Sequence, residues 1–404
     1  MCPSDSRTAS ASASTLTTAA YIAFVPIGIA NVLLGPLLPT LSARWSLNYA
    51  QAGALFTAQY MASTIAVALS GAVVWWRGYR FAMKSGMVLM AAGLAVLLLG
   101  TKWLGVLSIA VYGGGLGIAV PAANLMVAEL NPTRRAATLN WLNFYWSAGA
   151  VSCPFLVAAA TRIHRMPLFL TVVSGFALIV VAGIHRLPAN LAEPRSPANG
   201  TIKLVPVIQA QLRVFLILAA LFFIYVGTEN GFGGWVASFA KSLGSLSPAM
   251  SLITPSFFYA SLMLGRWLAT LLLRFDTEIR LVRIGLLLAC AGTAGLLSSH
   301  GWVGVVVSAC AAGLGLSCVY PITISLLSKE FGSASARIGS IMFVLSNIGG
   351  GLLPWFVGLV SNRSGTLKIG LLIPLCGCAL MLGLYLRLHD WGQTQVRRGA
   401  LLDA

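Results

Sequence analysis

Charge is the scarcest property of this sequence: Asp, Glu, Lys and Arg make up 9% of its 404 residues, and nine of these are acids. Soluble globular chains carry about 25% charged residues. Together with 58% hydrophobic residues, the scarcity excludes a soluble enzyme or binding module and marks a polytopic membrane protein. Histidine is as thin. His164, His185, His300 and His389 all fall at or near the ends of apolar segments, so no buried His relay is in sight. Of the seven cysteines, six lie inside apolar segments and Cys2 is terminal. None stands at zinc spacing with His, and a disulfide framework is not expected. No P-loop or nucleotide fingerprint occurs, which argues against an ATP-driven pump. No cofactor and no metal are expected. A membrane enzyme would need clustered titratable groups near one interface, and the few here are dispersed. The net charge of +17 does not call for a nucleic acid, because the basic residues sit in short loops between apolar runs, where they follow the positive-inside rule.

Long apolar runs are what the sequence has in abundance. Twelve occur, at about 17–42, 50–76, 82–101, 104–128, 136–161, 167–185, 213–240, 249–273, 281–299, 302–328, 336–361 and 366–386. Each supplies the ~20 residues that a membrane-crossing helix needs, and the lack of water in lipid forces the backbone to be helical. Threading these runs through a bilayer puts nineteen of the twenty-six Lys and Arg residues on one side. The expectation is a multi-pass protein of the plasma (inner) membrane with both termini cytoplasmic and basic loops touching anionic lipid headgroups. Residues 1–16 are Ser/Ala/Thr-rich and are expected to be disordered. A Pro- and Ala-rich polar stretch at 186–212 reads as a linker between an N-terminal six-helix bundle, 17–185, and a C-terminal one, 213–387, with a cytoplasmic tail at 388–404.

The two bundles look like repeats. Gly115–Gly117 recurs at Gly313–Gly315, with Pro121 and Pro321 following. The stretch Ser147–Pro154 recurs at Asn347–Pro354, and Gly28, Asn31 and Gly35 match Gly227, Asn230 and Gly234. Pseudo-symmetric six-helix bundles imply a site at their shared midplane and alternating access to it.

One carboxylate breaks the apolar pattern. Glu229 lies mid-span in LFFIYVGTENGFGGWVASFA, 221–240, with no other charge from Val214 to Ala240. At ~1.5 Å per residue it sits roughly 24 Å from Arg213 and roughly 18 Å from Lys241 along a helix. An ionised acid at that depth costs about 3 kcal/mol on insertion scales. The helix therefore keeps Glu229 protonated, pairs it with a cation, or opens it to a watery cavity, and each choice points to a transport site.

Motifs in five places carry a family resemblance: IGIANVLLGPLLP at Ile27–Pro39, GLGIAVPAANLMVAELNP at Gly115–Pro132, LNWLNFYWSAGA at Leu139–Ala150, YVGTENGFGGWVASFA at Tyr225–Ala240 and LGRWLATLLLRF at Leu264–Phe275. The chain resembles the major facilitator superfamily and, within it, the fucose–proton symporter family. The resemblance implies a monomeric all-α transporter of twelve helices that moves a monosaccharide with a proton. Two departures stand out. That family carries coupling acids in its first and fourth helices, where this chain has Gly35 and Val120, and the amide of its seventh helix is here Glu229. The proton-coupling role therefore passes to Glu229, or the protein couples otherwise. Sodium, held by oxygens of Thr228, Glu229 and Asn230, is the other ion the residues allow.

For the solute, amides donate and accept, which makes Asn31, Asn124, Asn143, Asn230 and Asn347 candidates for sugar hydroxyls, with Gln59 of lower weight. Tyr145, Trp235 and Tyr259 are candidates for stacking on a sugar ring. Each competes with an ordinary role in helix packing or at the lipid interface. Arg266 is expected to pair with Glu229, to join acids in a cytoplasmic gate or charge lock, or to snorkel to the inner interface. Glu129 with Arg134, Glu330, and Arg274 among Asp276 and Glu278 read as a charge lock at the end of the bundle that bears the termini. The rival to a sugar symporter is a proton-coupled exporter of drugs or metabolites on the same fold, for which one acid in an aromatic cavity would suit a lipophilic cation.

Overall fold

In a computed structural model the chain is described over residues 3–186 and 204–402. It folds as α1 (Pro3–Val32), α2 (Leu34–Trp45), α3 (Tyr49–Val96), α4 (Lys102–Leu130), α5 (Arg135–Arg162), α6 (Met166–Arg186), α7 (Leu204–Ala210), α8 (Leu212–Ser242), α9 (Pro248–Leu272), α10 (Glu278–Leu297), α11 (Trp302–Leu316), α12 (Val319–Phe331), α13 (Ser335–Ser364), α14 (Leu367–Gly370) and α15 (Leu372–Leu402). No strand occurs among the described residues. Ten segments are long and apolar enough to cross a membrane. Two more complete the twelve. The 48-residue α3 is two spans merged across Gly78, whose φ of 79° is open to glycine and strained for other residues. The other is α9, which Ser251, Thr254, Ser256, Ser261 and Arg266 make more polar than its neighbours. The linker expected at 186–212 lies outside the described residues over 187–203, and its far end is the short α7. The stretch expected to be disordered before residue 17 is helical from Pro3; its alanines favour helix and no proline interrupts it before Pro26.

Short loops at the end of the bundle opposite the termini are set by local chemistry. Asn48 and Gln51 form a reciprocal capping box at the start of α3. Ser247 caps α9 from in front of Pro248, a residue suited to the first helical position.

The duplication shows in the packing. Gly86 of α3 faces the backbone of Gly115 and Ala119, and Gly285 of α10 faces Gly315. Gly93 lies on Ser108 and Tyr112, and Gly292 on Ser308 and Ala312. Gly113 lies on the Gln59 carbonyl, and Gly313 on that of Phe258. Each contact recurs about 200 residues on, and each leaves no room for a Cβ. The structural partner of Gly115 is thus Gly315, two residues on from the Gly313 that the sequence repeat pairs with it. Arg80 donates to the Ile184 carbonyl and Arg283 to that of Tyr385, repeating the pattern in polar form.

The halves meet through the ends of their helices farthest from the termini. Gly35 lies against the backbone of Gly233 and Gly234, where an added Cβ would stand 2.9 Å from the Gly233 oxygen. Gly53 abuts Pro354 and Trp355, and Gly358 abuts Tyr49. Thr57 donates to the Gly351 carbonyl at 3.2 Å, and Ser256 to that of Val151 at 2.9 Å.

Candidate functional site

Just inside this closed end, the middle of α8 brings Glu229 to the centre of the molecule. The acid is deep in the protein, yet part of its surface stays accessible, as for the wall of a cavity. Asn31, Asn230, Arg266, Tyr320 and Asn347 are half-buried in the same way. The opposite charge acting on Glu229 is Arg266 of α9. The two make no direct ion pair, and the Arg266 Nε has no hydrogen-bond partner. Tyr225, one helical turn before Glu229, stands within hydrogen-bonding reach of both charges, with its buried hydroxyl short of a well-formed bond to either. Tyr60 of α3, Tyr259 of α9 and Tyr320 of α12 also lie within electrostatic reach of Glu229. The site is therefore one carboxyl and one guanidinium, held apart and surrounded by phenolic hydroxyls from four helices. A buried donor without a partner costs about 1–3 kcal/mol, so this arrangement favours a polar solute that bridges the charges.

Amides from both halves reach the same region. Tyr60 Oη donates to Asn230 Oδ1 at 2.7 Å, and Asn230 returns its own N–H to the Val226 carbonyl at 2.8 Å. Gln59 donates to the Asn31 carbonyl at 3.2 Å and accepts from Tyr112 Oη at 3.1 Å. The side-chain amides of Asn31 and Asn347 make no hydrogen bond among the described residues. Asn347 shares a face of α13 with Gly350 and Gly351, against which the Tyr60 side chain lies.

Other expected site residues are placed differently. Trp235 is 1% exposed, donates its indole N–H to the Pro354 carbonyl at 2.9 Å, and packs on Tyr49 and Phe56. In this conformation it seals the closed end and its ring faces are covered. Tyr145 is stacked on Tyr21 at 5.5 Å. Asn124 and Asn143 each return an N–H to their own helix, at the carbonyls of Val120 and Leu139. Asn143 is exposed toward the end bearing the termini.

Of the expected charge lock, the described residues form ion pairs within the second half, Asp276 with Arg280 at 3.5 Å beside the Glu278–Lys329 pair. Glu129 accepts from Tyr79 at 2.7 Å, while Arg134 and Arg274 are exposed and Glu330 makes no ion pair. Glu278 holds Lys329 at 2.8 Å and Ser325 at 3.1 Å, all within the second half. The oxygens proposed for sodium do not converge either. Thr228 is 1% exposed and faces Gly377 of α15, whereas Asn230 turns to Tyr60.

Sequence reasoning missed Tyr60, Tyr225, Tyr320 and Tyr112. Tyr225 was within reach, because i and i+4 share a helix face. The other three come from helices whose approach to α8 no local pattern encodes.

The sequence matches the Major Facilitator Superfamily profile over residues 20–354. The chain belongs to that superfamily. A similar protein is the mouse "Sodium-dependent glucose transporter 1A", 20% identical over 393 residues and covering 86% of this chain and 90% of the mouse protein. Among superfamily structures, a D-xylose–proton symporter superposes with a TM-score of 0.76 at 16% identity, over 92% of this chain and 96% of that one. The Escherichia coli fucose–proton symporter gives 0.65 at 20% identity, over 91% and 97%. At these identities the structures share the major facilitator fold with this chain. It is a transporter of small solutes and not an enzyme.

Proposed function

We propose that this transporter carries a monosaccharide together with a proton by alternating access, with Glu229 as the proton carrier and Arg266 as its counter-charge. The observation that carries the reading is the unpaired Glu229–Arg266 couple inside a ring of tyrosines, with the amides of Asn31 and Asn347 beside it. Such a site is matched by a compact solute with hydroxyls on every side. A lipophilic cation would leave Arg266 facing like charge and its Nε without an acceptor. The names of the similar proteins, two of them proton symporters of sugars and one a glucose transporter, support the same substrate class.

With both termini in the cytoplasm, the closed end is extracellular and the site faces inward. Trp141 and Phe144 of α5 and Leu264 and Trp267 of α9 are exposed in the halves of these helices nearer the termini. Their helices already touch farther out, through Ser256 and Val151. The exposed lock residues fit this state, because a lock that closes the inner end should be apart when that end is open.

Uptake of labelled D-xylose, L-fucose and D-glucose into proteoliposomes, driven by an imposed pH or sodium gradient, tests the proposal. Uptake that follows the pH gradient supports it. Transport of lipophilic cations alone, or sugar uptake driven by sodium and indifferent to pH, overturns it.

A further inference from the structure

Among the described residues, hydrogen bonds from Thr57, Ser256 and Tyr60 cross between the halves at the closed end. The first two end on backbone carbonyls. The third is different in kind. It joins two side chains, its acceptor Asn230 is the residue next to Glu229, and its donor Tyr60 is itself within electrostatic reach of Glu229. Tyr60 has one hydroxyl proton, and here that proton is committed to Asn230. The side chain is held in place by α13, with Gly351 against its Cβ and Gly350 against the ring, where a Cβ on Gly350 would stand 2.8 Å from the ring edge. Ring position is thus fixed from the second half, while the hydroxyl retains its rotation.

We infer that Tyr60 is a positioning residue that couples the proton on Glu229 to closure of the extracellular end. The inference deepens the proton-carrier reading of Glu229 and holds only with it. With Glu229 neutral, Tyr60 donates to Asn230 and ties α3 of the first half to α8 of the second. With Glu229 ionised, the carboxylate competes for that proton as a charged acceptor, and hydrogen bonds to charged groups are roughly twice as strong as neutral ones. The other groups facing Glu229 do not remove the competition. Arg266 makes no ion pair with it, Tyr225 stands within reach of both charges without a well-formed bond to either, and Tyr259 and Tyr320 add only phenols at electrostatic distance. A carboxylate has about four acceptor sites, enough to take Tyr60 as well as a reorganised Tyr225. Release of the proton to the cytoplasm therefore undoes the crossing bond. The empty carrier, having delivered its cargo, loosens its outer end and returns. Because the bond re-forms only when Glu229 is neutral, proton uptake from outside is built into reclosure.

The test is the distance across the extracellular end as a function of pH. Cysteines at Leu99 and Gly301, both exposed, in a chain whose native cysteines are replaced by alanine, would carry spin labels in proteoliposomes. A Cβ at Gly301 meets nothing within 4 Å. In the parent protein the closed population is expected to fall as pH rises. Tyr60→Phe is expected to flatten that pH profile and to lower the closed-to-open ratio about fivefold at acidic pH, the effect of one net hydrogen bond. Asn230→Ala removes the same bond from its acceptor side and is expected to do the same, which covers the case of a Tyr60 variant that does not fold. Glu229→Gln is expected to flatten the profile in the opposite sense, closed at every pH. A Tyr60→Phe or Asn230→Ala protein that keeps the parent pH profile overturns the coupling role and leaves Glu229 as carrier. A Glu229→Gln protein that keeps the parent profile overturns the carrier reading itself, and the coupling role with it.

Discussion

The two halves are packed alike and equipped differently. Gly86 against Gly115 and Gly285 against Gly315, Gly113 on Gln59 and Gly313 on Phe258, are the same helix crossings made twice. The chemistry is not made twice. Both charges at the centre, Glu229 and Arg266, come from the second half, and the first contributes neutral groups: Tyr60, Gln59, Tyr112 and Asn31. The lesson is that backbone-to-backbone seams conserve architecture while leaving the cavity free to diverge. Gly35 shows why the charge sits where it does. The resembled family carries an acid at this position, but here the residue is the point where α2 crosses α8 and even a Cβ crowds the Gly233 oxygen. An acid there is incompatible with this closed state.

Removing the charge that defines the asymmetry should have the largest effect. Glu229→Gln is expected to abolish accumulation driven by a pH gradient while sugar counterflow survives. For one coupled proton the accumulation ratio should drop from about tenfold per pH unit to unity, as read by uptake at graded pH. Next comes Arg266. Truncating one member of a buried charge couple costs about 2–5 kcal/mol, so Arg266→Met should raise the sugar Km by about thirtyfold or more in equilibrium exchange, the lower bound of that range. Arg266→Lys should recover part of the loss, since it keeps charge and loses the planar fork. Gly35→Asp would restore an acid to the first half and sharpen the comparison from the other side. Overpacking of this kind costs about 1–3 kcal/mol and should shift the Leu99–Gly301 distance toward the open form. The smallest effects are expected from single amides. Asn31→Ala and Asn347→Ala should each weaken sugar binding about fivefold, one net hydrogen bond, measured by ligand-induced thermal stabilisation. Trp235→Phe should lower thermal stability and leave sugar selectivity unchanged, because its indole serves the Pro354 carbonyl.

What could be read in the sequence was whatever depends on one helix at a time. The twelve spans follow from apolar length, and Glu229 was visible as a charge with no neighbour on its own helix. Arg266 was legible only as an alternative, since its side-chain reach allows either the interface or the centre. Its place opposite Glu229 depends on how α9 leans on α8. Tyr60 and Tyr320 were invisible for the same reason. Trp235 was legible as an aromatic near a carboxylate, a pattern that suits a sugar as well as it suits the seal it forms here. The carbonyl that decides between them belongs to residue 354, in another helix. The duplicated glycines gave away the symmetry, but the Gly115–Gly117 repeat was matched two residues out of register, since only contact with the facing helix tells which glycine of a run does the packing.

The glycine seams also say what kind of molecule could stop this one. Helices that touch through backbone have no side-chain play between them, so each six-helix half turns as a single block. An antibody fragment gripping two helices of one half would ride along with the motion, and transport would go on beneath it. One bridging the loop at Leu99 to the loop at Gly301 would hold the two blocks together like a wedge under a rocker. The same rigidity that makes the carrier efficient makes its exterior sharply divided into harmless and arresting epitopes.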